Sequence, residues 1–508
     1  MKKKFFISSI LVIVILVVSF TKNDSKYGLS VIGTIHPKTS KDISESPWGI
    51  QAGSLDENIL IKAAEIGVKW TRLGADWSVI EFEKGKYNWE KTDIAFASAL
   101  EKSITPFITL GGANKLYLKE NLNLDPKISE IYGERPEPPI KDQIALKAWL
   151  EFVKIAVIRY KDQIKYWEIW NEPNHFAYWG AEPNGHEYGM LLNKTANMIK
   201  AIDPSAKILA GAMAGLDPEF TDAFLSAGNK DIVDIITYHN YGAIPEERIY
   251  KAVEVWKIIN KHNPKIKLWQ GECGYPSHSN TRDYRGSSPW GLLIQAKWLL
   301  RQSFTDIYFC NATLSNYFKL FHKNGRGEIP TRSFLTKLDS ILGFPERGGF
   351  RVKEVGVNEK CLLSNPSLEP KPAYYAYRNL CSIMDSKYKP VELKSNIDVK
   401  DPGIFYGIGN EDDAFPSVPL VAKFKNKNNS YLISYWLPWH PQELIEYASI
   451  DLRLVGVNFI NPVLIDLIDG KVYDLDNYKN DKDGTSLFGI PMADYPFIVA
   501  EKNEIDLE

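Results

Sequence analysis

Cysteine is scarce in this chain of 508 residues, which contains only four. The spacing of Cys273, Cys310, Cys361 and Cys381 matches no zinc-binding pattern. Disulfides are permitted if the chain is exported, and Cys361 with Cys381 is the first pair to test. Four buried free thiols are the alternative, because a core of this size needs no cross-links.

The chain also lacks an excess of charge of either sign. Its 61 Lys and Arg residues against 63 Asp and Glu residues give a formal net charge of -2. This balance gives no electrostatic reason to expect binding to nucleic acid or to an anionic membrane surface.

Common cofactor and nucleophile motifs are missing as well. Gly407 and Gly409 lack the third glycine of a dinucleotide fingerprint, and no Gly-Lys-Ser/Thr phosphate loop occurs. No Gly-x-Ser-x-Gly elbow is present, and His175 and His186 have no third ligand at zinc spacing. We therefore predict neither a cofactor nor a metal.

The N-terminus has the pattern of a targeting signal. Three lysines, at positions 2 to 4, precede an apolar run from Phe5 to Phe20, which is slightly short for a spanning helix. We predict that residues 1–22 are a signal peptide or an uncleaved anchor and that residues 23–46 are a polar linker. The rest of the chain is then secreted or held at the cell surface, with membrane contact only through an uncleaved N-terminus.

From residue 47 to residue 385, short apolar runs alternate with longer helical patterns such as Glu57–Ile66 and Ile144–Tyr160. Such alternation is typical of parallel βα units. Eight units predict an α/β fold, a (β/α)₈ TIM barrel with enlarged loops. The predicted strands are Trp48–Ala52, Val68–Gly74, Thr105–Gly111, Ile164–Asn171, Lys207–Ala212, Ile232–Tyr241, Ile266–Glu272 and Ser315–Phe321.

Residues 386–508 have a different sequence pattern, with strand-like runs and no long helical pattern. We predict an all-β sandwich domain packed against the barrel. Its expected strands are Val418–Phe424, Tyr431–Leu437, Ile450–Val457, Val463–Leu467, Lys471–Leu475 and Pro496–Glu501.

Two glutamates end predicted strands, Glu172 at the fourth and Glu272 at the seventh. In a TIM barrel the functional side chains lie at the C-terminal ends of the strands, and strands four and seven are on opposite sides of the mouth. Two carboxyl groups facing each other across a cleft are the groups that cleave glycosidic bonds, one protonated and one ionised.

Other polar residues end neighbouring strands. Arg72 at strand two can stabilise an anion, and Asn171 can bind a substrate hydroxyl beside the scissile bond. His239 and Tyr241 share one face of strand six, where Tyr241 can donate to the nucleophile and His239 can line the sugar site. Glu168 lies deeper on strand four, and we expect it to be an interior residue paired with a donor such as Arg72.

Aromatic residues make up 12 % of the chain and suggest sugar platforms. Trp77, Trp179 and Trp290 are the candidates, with core packing as the alternative reading of each. Tyr317, near the end of strand eight, is a further candidate for the substrate site.

The motifs Trp170-Asn-Glu-Pro173, Tyr238-His-Asn-Tyr241 and Trp269-Gln-Gly-Glu272 resemble those of glycoside hydrolase clan A. The loop from Asp76 to Trp89 is similar to that of families 39, 42 and 10, and the C-terminal domain resembles that of family 39. The resemblance covers roughly residues 47 to 385. It implies a retaining mechanism with Glu172 as acid/base and Glu272 as nucleophile. Where the clan often has Trp at the end of strand eight, this chain has Tyr317, Phe318 and Phe321.

The expected function is hydrolysis of O-glycosidic bonds in polysaccharides or oligosaccharides. An inverting glycosidase is an alternative, distinguished by a wider gap between the carboxyl groups. A barrel that binds carbohydrate without cleaving it is the non-enzymatic alternative, although the presence of both glutamates argues against it.

Overall fold

The computed structural model describes residues 27–53, 57–117, 137–241, 244–277, 291–322, 360–365, 367–405, 418–440 and 442–508. The predicted signal segment, the first four linker residues, Trp290, Gly407 and Gly409 lie outside these ranges. Within them, no helix combines the length and apolar character needed to cross a bilayer.

Eight parallel strands close into a barrel in which each strand pairs with the next along the chain, and the eighth pairs with the first. The predicted (β/α)₈ fold is confirmed, and each predicted strand overlaps an observed one. In chain order the barrel strands are Trp48–Ile50, Trp70–Asp76, Thr105–Gly111, Tyr166–Ile169, Lys207–Ala214, Ile235–His239, Lys267–Cys273 and Ser315–Tyr317.

Helices cover the outside of the barrel and bury an apolar stripe against the strands. Their N-termini often carry a capping side chain, because the first turn leaves backbone N–H groups unpaired. Asp142, Asn184 and Asp217 each accept such hydrogen bonds. Within the described ranges the α-helices are Glu57–Ile66, Trp77–Ile80, Glu90–Glu101, Gln143–Tyr160, Phe176–Trp179, Gly185–Ile202, Pro218–Phe224, Arg248–His262, Leu292–Phe304 and Pro372–Ile383.

The C-terminal region is an all-β domain of two antiparallel sheets, as predicted. In spatial order, the larger sheet contains Val31–Thr34, Lys471–Asp474, Pro462–Asp466, Phe497–Glu501, Tyr431–Trp436, Leu420–Lys425 and Lys389–Pro390. The smaller sheet contains Ser395–Asp401, Ala448–Val455, Gly484–Met492 and Tyr478–Asp481.

One part of the predicted linker is wrong, because Val31–Thr34 forms an edge strand of the larger sheet. It pairs antiparallel with Lys471–Asp474, more than 400 residues further along the chain. All four residues are half-buried, so the segment gives no clear alternation of apolar and polar positions. The N-terminal segment therefore belongs to the C-terminal domain.

The cysteines contradict the suggested disulfide. Cys361 and Cys381 are not joined by a disulfide, Cys273 and Cys310 are not joined either, and all four side chains are buried. The alternative of four buried thiols is the one that the structure supports.

Candidate active site

Glu172 and Glu272 lie close together at the C-terminal mouth of the barrel. Glu272 is on the seventh strand, and Glu172 follows the fourth. One carboxylate oxygen of each glutamate and one ring nitrogen of His239 lie within 4.8 Å of one another. The structure thus brings together the two carboxyl groups that the sequence singled out.

A sharp turn directs Glu172 toward the mouth. The φ angles of Trp170 and Glu172 are +69° and +46°, in the left-handed region that non-glycine residues seldom occupy. The Glu172 amide donates to the Ala212 carbonyl at 2.9 Å, and the Trp170 indole donates to the Tyr178 carbonyl at 3.1 Å. Strained backbone held by its surroundings is frequent at functional sites.

Three donors surround the Glu272 carboxylate. The Tyr241 hydroxyl donates to Oε1 at 2.5 Å, while Arg72 Nη1 and Gln51 Nε2 donate to Oε2 at 2.7 and 2.8 Å. Burial raises the pKa of Glu272, but the charges of His239 and Arg72, with these hydrogen bonds, outweigh it and hold the pKa below its usual value. Glu272 is therefore kept ionised.

Glu172 has a different environment. Its Oε1 lies 2.9 Å from His239 Nδ1, and His239 is almost fully buried. The other ring nitrogen, Nε2, is buried and has no hydrogen-bond partner among the described residues. The His239 ring therefore orients Glu172 through one nitrogen. Its second nitrogen is closed off by protein atoms, so the prediction that His239 lines the sugar site is wrong.

Arg72 connects the base of the site to its mouth. Its Nε and Nη2 lie 2.7 and 2.6 Å from Glu168 Oε2, and Nη2 donates to Asn171 Oδ1 at 2.9 Å. Glu168 also accepts hydrogen bonds from Thr109 and Thr237, both at 2.6 Å. The structure confirms Glu168 as an interior residue whose charge Arg72 balances.

The prediction of sugar platforms is wrong for Trp77 and Trp179. Both rings are fully buried, and a sugar can stack only on an exposed ring face. The Trp77 indole donates to Glu81 at 2.6 Å, and Trp179 packs edge-on against Trp170, with ring centroids 5.8 Å apart. The alternative reading, core packing, is the correct one for both.

Tyr317 is also misplaced as a substrate residue. Its ring points outward, 6.4 Å from that of Tyr377 on the last barrel helix, and its hydroxyl accepts a hydrogen bond from the Tyr275 amide. The next residue, Phe318, packs edge-on against Tyr241 at 5.7 Å between centroids. Phe318 is therefore the strand-eight aromatic residue beside the site.

Gln51 was not among the predicted site residues. It directly follows the first barrel strand, and its amide contacts Glu272. The rule that found the two glutamates, a polar side chain at the end of an apolar strand, also applies to Gln51.

Glu172, His239 and Glu272 are also close enough to share a metal ion. Their ligand atoms are, however, engaged with protein groups: His239 with Glu172, and Glu272 with Arg72, Tyr241 and Gln51. This pattern of one ionised and one histidine-bound carboxyl group is suited to proton transfer and nucleophilic attack.

The closed barrel with two glutamates, one after strand four and one on strand seven, is similar to the barrels of the clan A glycoside hydrolases. Within that clan, the chain is similar to family 39. The model of glycosyl hydrolases family 39 matches residues 61–267, which include Glu172 but end before Glu272.

A curated relative, a beta-xylosidase of Geobacillus stearothermophilus, is 28% identical over 165 residues. The match covers 30% of this chain and 31% of the relative, so the chain spans less than a third of that protein's length.

Solved structures share the whole architecture at low sequence identity. A family 39 glycoside hydrolase from Bacteroides cellulosilyticus WH2 has a TM-score of 0.59 and 18% identity to this chain. The match covers 90% of this chain and 81% of the chain of that hydrolase. A monomeric beta-xylosidase from Caulobacter crescentus CB15 has a TM-score of 0.54 and 16% identity, covering 92% and 97%. At such identities the likeness shows the fold.

Proposed function

We propose that this protein is a retaining glycoside hydrolase that cleaves O-glycosidic bonds in polysaccharides or oligosaccharides. The observation that carries the proposal is the pair of carboxylate oxygens, from Glu172 and Glu272, within 4.8 Å of each other. Carboxyl groups about 5–5.5 Å apart are typical of retaining enzymes, whereas inverting enzymes need about 6.5–9.5 Å to admit a water molecule.

The two environments support separate roles. Glu272, ionised and held by three donors, attacks the anomeric carbon while the glycosidic C–O bond breaks. Glu172 gives its proton to the departing oxygen, then removes a proton from the water that attacks the glycosyl–Glu272 ester. This second step releases the sugar and restores both carboxyl groups to their starting states.

Two neighbours support the reaction. The Asn171 amide, whose oxygen Arg72 holds, is available to a sugar hydroxyl. Arg72 also stabilises the carboxylate that leaves when the ester is hydrolysed.

Tyr241→Phe is expected to lower kcat/KM about 10-fold, because one charged hydrogen bond to the nucleophile is lost. The same bond helps to hold the pKa of Glu272 low, so its removal should raise that pKa. Protonation of Glu272 then begins at higher pH, and the acidic limb of the kcat/KM profile should move to higher pH. Tyr250→Phe, at an exposed helix position, is the control. An unmoved acidic limb would contradict the assignment of Tyr241.

The reaction type is tested by following the hydrolysis of an aryl β-xyloside by proton NMR. The first sugar product should have the anomeric configuration of the substrate. Initial release of the opposite anomer would indicate the inverting alternative. Binding of oligosaccharides with no reducing sugar released, across a panel of aryl glycosides and polysaccharides, would indicate a carbohydrate-binding protein.

We also propose that the enzyme acts outside the cytoplasm. The support is the positively charged and then apolar pattern of residues 1–22, which is typical of a secretory signal. Fractionation of the native host, with an antibody against the barrel, tests this directly; recovery only in the cytoplasm would refute it.

A further inference from the structure

The seventh barrel strand has one extra residue directly before the proposed nucleophile. On strand six, Gln270 pairs with Tyr238. Glu272 pairs with the very next residue of strand six, His239, so that Gly271 is left over between two consecutive pairs. The pairing with strand eight shifts by one residue at the same place. Such an insertion is a β-bulge, which is frequent beside active sites because it redirects a side chain.

The bulge determines which way Glu272 points. Trp269 faces the barrel interior, where its ring centroid lies 5.1 Å from that of Trp70 on strand two. Strict alternation from Trp269 would place Glu272, three positions later, on the outer face of the strand. The bulge adds a shift of one residue and turns Glu272 inward, toward Arg72. The direction of the nucleophile therefore depends on the bulge keeping its shape.

Two buried amide side chains hold the bulge between strands seven and eight. Asn316 Nδ2 donates to the Gly271 carbonyl at 2.8 Å, and the Asn316 backbone N–H donates to Gln270 Oε1, also at 2.8 Å. Both amide residues are fully buried. A Cβ added at Gly49 on strand one would lie only 2.6 Å from Asn316 Oδ1, so this glycine leaves the room that the Asn316 side chain occupies. Asn316 thus contacts the extra residue itself.

Each of the two amides has one polar atom without a partner. Asn316 Oδ1 and Gln270 Nε2 are buried and have no hydrogen-bond partner among the described residues. A buried polar atom without a partner costs free energy, and an apolar side chain of similar shape would avoid that cost. The pair is therefore better explained by what it positions than by the stability that it adds.

We propose that Asn316 is a positioning residue that acts through the nucleophile. By fixing the Gly271 carbonyl it keeps the bulge in shape, and the bulge directs the Glu272 carboxylate toward the anomeric carbon of the sugar. Gln270, on the strand that carries the nucleophile, completes this arrangement. The inference rests on the proposed glycosidase function and adds to it a residue that does not touch the substrate.

Asn316→Ala tests the proposal, because it removes the donor to the bulge and leaves Glu272 in the chain. For a 2,4-dinitrophenyl β-xyloside, kcat/KM reports formation of the glycosyl–enzyme and should fall about 10- to 100-fold, as expected for a displaced reacting group. The acidic limb of its pH profile should move to higher pH. The reason is that a carboxylate turned away from Arg72 and Tyr241 is less stabilised in its ionised form.

Asn229→Ala is the matched control. Asn229 is also fully buried, its Nδ2 donates to the Gly189 carbonyl at 2.9 Å, and its Oδ1 has no partner within the described ranges, but it lies in the outer helical layer. This variant should lower the midpoint of urea denaturation, yet keep kcat/KM within about 3-fold and leave the acidic limb in place. Gln270→Met removes the second contact and should lower kcat/KM like Asn316→Ala, and it replaces that variant if the latter does not fold.

The same substitution in Glu272→Ala separates positioning from a general structural role. With azide as the nucleophile, the double variant should react within about 3-fold of Glu272→Ala, because no carboxylate remains to be positioned. An equal loss in both backgrounds would overturn the proposal and leave the glycosidase function intact. So would an acidic limb and a kcat/KM that match those of Asn229→Ala.

A measurement without turnover distinguishes failure of this inference from failure of the proposed function. If the wild type cleaves no glycoside, the proposed function fails. The ¹³C resonance of the Glu272 carboxyl group, identified by its absence in Glu272→Gln, still gives the pKa of that group. A higher pKa in Asn316→Ala than in the wild type, with no change in Asn229→Ala, supports the positioning role. The same pKa in all three proteins refutes it.

Discussion

Replacing Glu272 by alanine is expected to lower kcat for an aryl glycoside on the order of 10⁵-fold, because the covalent intermediate can no longer form. Binding should change far less, since Arg72 retains its partners Glu168 and Asn171. Stopped assays with an activated 2,4-dinitrophenyl glycoside measure the residual rate. Glu219→Ala, at an exposed glutamate in the first turn of a barrel helix, is the control for the substitution itself.

Sodium azide separates the roles of the two glutamates. In Glu272→Ala, azide can enter the space left by the carboxylate and attack the sugar directly, giving a glycosyl azide of inverted configuration. In Glu172→Ala, azide instead replaces water in the second step and gives a product of retained configuration. The reverse pattern would exchange the two assignments, and near-wild-type activity in Glu272→Ala would refute the nucleophile.

The barrel and its two glutamates could be predicted from sequence because the information is local. Helix Glu57–Ile66 and strand Thr105–Gly111 have the predicted bounds, since each has its own apolar pattern and terminal signals. Once the parallel strands close into a barrel, their C-terminal ends must all lie at the same mouth of that barrel. The residues that follow strands four and seven, Glu172 and Glu272, therefore come together without any knowledge of the loops.

The sequence could not provide information that depends on distant parts of the chain. Val31–Thr34 becomes a strand only because Lys471–Asp474 offers it an edge, and nothing local indicates this partner. A tryptophan next to a strand end can face the cleft or the core. Trp77 faces the core because Glu81, itself buried, accepts its indole N–H.

The contact between the barrel and the β-domain contains a buried ion pair. Arg301, on helix Leu292–Phe304, makes two hydrogen bonds to Glu246, at 2.8 and 2.7 Å, and both residues are buried. From the β-domain, the Trp436 indole donates to Glu246 and the Trp439 carbonyl accepts from Arg301. Glu246 lies in the connection that follows strand six, so this cluster ties the β-domain to the segment after Tyr241.

Arg301→Met is expected to destabilise the protein by about 3–5 kcal/mol, because Glu246 is then buried without a counter-charge. Burial raises the pKa of Glu246, whereas Arg301 and two donors hold it below its usual value, so the substitution removes the main charge that keeps this carboxyl ionised. The midpoint of urea denaturation, followed by tryptophan fluorescence, measures the loss. Arg159→Met breaks an exposed pair with Asp93 and should cost no more than about 1 kcal/mol. Equal midpoints for the two variants would show that the buried pair contributes no more than a surface one.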